Sequence, residues 1–122
     1  MPKKNVLERY QLLTNGAMAS SITSNVTSIK YLDNVMIELI STGSPAGTYA
    51  IQISGDYQID NNGNVLNPGN WVSLDLNPVP TISGAGVVLI DANQLSGPYL
   101  RCTWTPTSGS GVLNIFITAK QV

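Results

Sequence analysis

The feature that most restricts this chain is alternation of apolar and polar residues in short runs, each cut off by Gly, Pro, Asn or Asp. In Tyr49-Ala50-Ile51-Gln52-Ile53-Ser54 the large apolar residues Tyr49, Ile51 and Ile53 fall on one side. That is the period of two of a strand with one buried face. Leu113, Ile115 and Ile117 alternate in the same way with Asn114, Phe116 and Thr118. Further strands are expected over 26–31, 35–41, 71–74, 86–90 and 99–104, with 57–60 as a kinked edge. The first two are expected to pair as a hairpin through Leu32-Asp33-Asn34. In 35–41 both faces are apolar, as in a strand covered on both sides. Ser44-Pro45-Ala46-Gly47, Asp60-Asn61-Asn62-Gly63-Asn64, Asn67-Pro68-Gly69-Asn70 and Ser108-Gly109-Ser110-Gly111 supply the turns. Pro78 and Pro80 cannot donate to a ladder, which places their segment at an edge or at a crossing between sheets. Seven to eight antiparallel strands at this spacing predict an all-β chain folded as a single β-sandwich or jelly roll.

The first 20 residues differ. MPKKNVLERYQLLTNGAMAS lacks strict alternation, and Val6, Tyr10 and Leu13 fall at a spacing that also suits a helix turn. Lys3, Lys4 and Arg9 against Glu8 give the first nine residues a charge of +2, while the remainder carries −3. The expected division is an extended N-terminal arm over 1–20 and a sandwich over 21–122. The alternative is that the segment is an ordinary first strand of its own sandwich.

A chain of 122 residues has room for one domain and one core. Charged residues are only 11%, against about 25% in ordinary soluble domains. The surface is therefore wetted mainly by hydroxyls and amides, as expected where neighbours in an assembly cover it. Six scattered cations and a net charge of −1 make no nucleic-acid footprint. No run approaches the 18 apolar residues of a membrane span. The N-terminus has no apolar core of a secretory signal, so synthesis in a cytoplasm is expected.

Catalytic chemistry has little to draw on. The chain has no His, and its one Cys, Cys102, lies in a strand-like run where it reads as a small buried hydrophobe. Asp60-Asn61-Asn62-Gly63-Asn64 superficially resembles a calcium loop. Its Gly falls at the fourth position instead of the sixth, and Trp71 stands where a bidentate Glu is required, so a plain turn is expected. Asp56, Asp60, Asp75 and Asp91 all sit beside turn residues, where Asp bonds local backbone N–H groups. Glu38, mid-strand among apolar residues, is expected to pair with Lys30 across the hairpin. Arg101 is expected to meet a carboxylate on an adjacent strand or to anchor an interface. Trp71, Trp104, Tyr57 and Tyr99 could line a sugar-binding face, although such residues also build cores. No enzyme, cofactor or metal is expected.

From about Ile22 to Lys120 the chain resembles small virion accessory proteins of tailed bacteriophages. The resemblance is carried by Ile53-Ser54-Gly55-Asp56, Asn70-Trp71-Val72-Ser73-Leu74, Gly97-Pro98-Tyr99-Leu100-Arg101-Cys102-Thr103-Trp104 and the stretch from Thr107 to Lys120. It implies a β-sandwich or jelly-roll capsid cement or decoration protein, located in the virion and bound between shell subunits. It further implies a major capsid protein or other virion protein as partner, and a dimer or trimer of the chain itself. Within that reading Lys3, Lys4 and Arg9 bridge acidic shell surfaces, while Val6, Leu7 and Tyr10 bury apolar area. A neck, tail or tail-tip component is the alternative, as is a carbohydrate-binding module.

Overall fold

Alternating segments become strands, and the strands pair in a nested order. The computed structural model describes residues 6–30, 32–74, 81–93 and 97–121. Along them run β1 (Val6–Ala17), β2 (Ile22–Thr23), β3 (Thr27–Ser28), β4 (Asn34–Gly43), β5 (Ala46–Ser54) and β6 (Gln58–Ile59). There follow β7 (Val65–Asn67), β8 (Val72–Ser73), β9 (Thr81–Ser83), β10 (Gly86–Asn93), β11 (Tyr99–Ser108) and β12 (Gly111–Lys120). β1 pairs with β12, β2 and β3 with β11, β4 with β10, and β5 with β8 and β9, all antiparallel. First meets last and second meets second-to-last, which is the wrapping of a jelly roll. The pairs join side by side into a four-stranded sheet, β1-β12-β4-β10, and a six-stranded sheet around β11 and β5. A small β6–β7 hairpin is inserted between β5 and β8. The expected all-β sandwich of antiparallel strands is thus present, with split strands filling two of its positions.

The core lies between the two sheets. Val35, Ile37 and Leu39 of β4 and Leu113, Ile115, Ile117 and Ala119 of β12 face Tyr49 and Ile51 of β5 and Leu100, Cys102 and Trp104 of β11. Each large side chain buried in this way stabilises the fold by about 1.5–3 kcal/mol before entropy is counted. The indole N–H of Trp104, 1% exposed, donates to the Met18 carbonyl at 3.0 Å, so the largest core residue leaves no polar atom unpaired. Gly47 is required beside it. A Cβ there would run into the Thr105 carbonyl and the Trp104 ring.

Three expectations change. The segment from Val6 to Ala17 is neither a helix turn nor a detached arm but an edge strand of its own sheet. Its pairing with β12 is interrupted between Leu7 and Tyr10, between Gln11 and Leu13, and between Leu13 and Gly16. Bulges of this kind insert unpaired residues and so erase strict alternation. Asn15 at φ 50° lies in the last of these breaks.

The expected hairpin between 26–31 and 35–41 is absent. β3 pairs with β11, in the other sheet from β4. Val26, Ile29 and Leu32 are spaced by three, which no strand face accommodates, and Ile29 and Leu32 instead plug the corner between the sheets. The crossing is fixed by Ile29 N–H donating to the Pro98 carbonyl and by Asp33 N–H donating to the Lys120 carbonyl. Ser24 bridges the split of this strand position: its N–H donates to the Cys102 carbonyl, and its Oγ accepts from Cys102 N–H, both at 2.8 Å.

Finally, 57–60 does not extend β5, since β6 pairs with β7. The alternation of β5 also fails at its end, where Ser54 is buried and Ile53 half-buried. Pro78 and Pro80 lie outside the described residues, and β8 and β9 flank them on the free edge of β5.

Candidate functional site

The apolar residues on both faces of β4 are explained by two different environments. Val35, Ile37 and Leu39 point into the core, and Met36, Glu38 and Ile40 lie on the outer face of the four-stranded sheet. The register aligns Glu38 with Leu89 of β10 and Phe116 of β12, and Ile40 with Val87 and Asn114. Val87 and Leu89 are 59% and 60% exposed. Val6, 63% exposed, stands opposite Lys120 at the far edge. Scattered exposed apolar residues are ordinary, but a contiguous set on one sheet face marks a contact surface.

The β1 side of this face is fastened by polar contacts. Arg9 Nη2 donates to Glu38 Oε1 at 2.6 Å, and its guanidinium carbon lies 3.7 Å from the centre of the Phe116 ring. The Arg9 side chain therefore spans β12 and ties the edge strand to β4. Gln11 and the Asn15 backbone both donate to the Asn114 amide oxygen, at 3.0 and 2.8 Å. At one end of the face an open groove of about 520 Å³ is lined by Val6, Asn34, Met36, Asp91, Thr118 and Lys120, among others.

The anchor residues named from sequence separate into four groups. Lys3 and Lys4 lie outside the described residues. Val6 and Tyr10 are exposed, whereas Leu7 is half-buried and packs against the core. Arg9 is paired with Glu38 and so takes the place expected of Lys30. Val87 and Leu89 were missed. The signal was available in Gly86-Val87-Val88-Leu89-Ile90, whose unbroken apolar run must turn two side chains outward once Val88 and Ile90 turn in.

The other candidates resolve as follows. Asp60 Oδ1 accepts from the N–H groups of Asn62 and Asn64, and its Oδ2 from the Asn64 amide, with Gly63 at φ 84°. Its pKa is lowered first by the Asn64 backbone bond, and the loop is a closed turn. Among the described residues, no three His, Cys, Asp or Glu gather to hold a metal. Asp75 lies outside the described residues. Burial pushes the Cys102 thiol up to about 12, so it presents no thiolate at neutral pH.

Trp104 leaves the aromatic set for the core, and the other three members converge. Tyr57 and Tyr99 meet edge to face at 5.0 Å between ring centres, and Tyr57 and Trp71 at 5.7 Å. Lys30 lies 5.1 Å over Tyr99, and Arg101 lies 4.3 Å over Trp71 while donating to Gln52 Oε1 at 2.7 Å. Arg101 thus meets an amide and a ring where a carboxylate was expected.

No protein-family model matches the chain, and no curated protein matches it. The surface chemistry itself is therefore the guide to function.

Proposed function

We propose that this protein is a non-enzymatic structural component of a tailed-bacteriophage particle, a capsid cement or decoration protein. In this reading it docks through the outer face of its four-stranded sheet. The observation that carries the proposal is the contiguous exposure of Val87 and Leu89 beside Met36, Ile40 and Phe116 on that face. The Arg9–Glu38 pair on it is internally neutralised, and Asp91, opposite Met36, and Lys120 put charge at the end of the face, around its apolar area. The jelly-roll topology and the resemblance of residues 22–120 to virion accessory proteins support the same reading. So does the low charge content of 11%. Fold alone does not fix function, and the exposed face is what gives the fold a use here.

Burial of Val87 and Leu89 against a shell subunit supplies on the order of 1–2 kcal/mol each, given their exposure and the usual value of a buried aliphatic side chain. The test is cosedimentation with particles stripped of the protein. Leu89→Asp places a charge in the contact and should weaken binding at least about tenfold, at 1.4 kcal/mol per factor of ten. The strand content by circular dichroism should stay unchanged. Undiminished binding of a folded Leu89→Asp variant would remove this face from the account.

A further inference from the structure

The run Lys30–Tyr99–Tyr57–Trp71–Arg101 lies on the six-stranded sheet and its loops, apart from the docking face. Its three rings are in continuous contact, and each end carries a cation. Lys30 makes no ion pair among the described residues, and its exposed ammonium lies beside a groove. That groove, about 420 Å³, is lined by Lys30, Tyr57, Gln58, Ile59, Leu66 and Tyr99, with Gly55 and Pro98 completing it. The volume is that of small-ligand sites, about 300–1,000 Å³.

The scaffold under the rings is held by a chain of hydrogen bonds. The Asp56 carboxylate accepts from the Asn70 N–H and side-chain amide, both at 2.7 Å, and from the Ser54 hydroxyl at 3.0 Å. Ser54 Oγ in turn accepts from the Tyr57 N–H at 3.2 Å, and Trp71 Nε1 donates to the Pro68 carbonyl at 3.0 Å. Gly69, at φ 78°, lets its loop press against Tyr57, where a Cβ would collide with Ser54 and Tyr57. Two loops are thereby clamped to one another, and Tyr57 is placed before any ligand arrives. Such preorganisation lowers the entropy lost on binding.

We propose that this groove binds an acidic oligosaccharide. Pyranose rings present an apolar face to an aromatic side chain and hydroxyls around their rim. Tyr57 and Tyr99 offer aromatic surface, and their phenol hydroxyls make no hydrogen bond among the described residues. The Gln58 amide adds a donor and an acceptor. A sugar carboxylate then meets the Lys30 ammonium at the end of the run. Single-stranded nucleic acid also stacks on aromatic rings, but it requires a positive track along its backbone. Here two cations at the ends of a run of three rings make no such track, and the chain's net charge is −1.

The probes are an oligogalacturonate, the same oligomer fully methyl-esterified, and oligothymidylate, each titrated calorimetrically into the full chain. The acidic sugar should bind saturably and at least about tenfold more tightly than its neutral ester, a difference of about 1.4 kcal/mol. Lys30→Met should remove that preference without altering the unfolding midpoint. Leu89→Asp, on the other sheet, should leave it intact, so that this site and the docking face fail or stand separately. The proposal is overturned by no saturable binding of the acidic sugar up to about 10 mM, well beyond weak millimolar affinity. Equal affinity for the ester, tighter binding of oligothymidylate, or an unchanged preference in Lys30→Met would also overturn it.

Discussion

Arg9 and Glu38, 29 residues apart in sequence, meet at 2.6 Å across the intervening strand β12. The contact closes the first strand onto the sheet and neutralises an acid that would otherwise stand unpaired on an apolar face. Its side chains are 56% and 24% exposed, so solvent screens it. A double-mutant cycle with Arg9→Ala and Glu38→Gln, read by urea unfolding, should give a coupling of about 0.2–1 kcal/mol that shrinks with added salt. Arg9→Lys should lose the stacking on Phe116 and behave more like Arg9→Ala than like the native chain.

Gly47 and Gly55 make a matched pair of substitutions. A Cβ at Gly47 collides with the Thr105 backbone and the Trp104 ring, whereas one at Gly55 meets nothing within 4 Å. Gly47→Ala should cost about 1–3 kcal/mol, the usual cost of overpacking. Gly55→Ala should stay within about 0.5 kcal/mol of the native chain. Thermal or urea unfolding of both separates steric need from mere glycine loss.

Cys102 makes stability depend on alkaline pH. Its folded-state thiol is held at about 12 against an ordinary 9.0, by burial. Between those values the unfolded chain has lost a proton that the folded chain keeps, so stability is full below about pH 9 and falls above it. The slope should approach about 1.4 kcal/mol per pH unit. Tyr49, raised above 10.0 by burial and then by Cys102, adds to the fall at the upper end. Urea midpoints from pH 8 to 11 should therefore fall less steeply in Cys102→Ala. A thiol reagent at pH 8 should label Cys102 only after denaturation.

Asp56 acts at the other end of the pH scale. Its pKa is held below 3.8, first by the Asn70 N–H, then by the Asn70 side chain and by Ser54. The stabilisation is complete above the unfolded value and is lost as pH falls through the lowered folded one. Acidification below about pH 4 should release the loop that carries Trp71 before the core opens. Trp71 fluorescence would then change ahead of the far-ultraviolet signal of the sheets. Asp56→Asn should show the released Trp71 spectrum already at neutral pH.

The parts of the fold that were legible in the sequence are those where alternation is uninterrupted. β12 and most of β5 could be read residue by residue, because one face of each lies on the core and period two survives. β1 could not, because bulges reset its phase. The pairing of 26–31 is not legible, because a three-residue spacing at Val26, Ile29 and Leu32 marks a corner and not a strand. Nested pairing of first with last strand is a property of the whole topology, and no local pattern encodes it. The proposed docking face is partly legible through the two apolar faces of β4. Its richest contributors, Val87 and Leu89, sit in a run whose phase only the register with β4 decides. Arg9 was legible as a charged residue in the first segment, but its partner, 29 residues away, was not.

If the chain is, as proposed, a stoichiometric part of a phage head, its copy number in purified particles follows that of the major shell protein, and quantitative mass spectrometry compares the two. A ratio near one, or a simple fraction of it repeated over the shell, is the predicted result. A handful of copies per particle would contradict a cement role and place the protein at the neck or tail, and its absence from particles would contradict the virion assignment altogether.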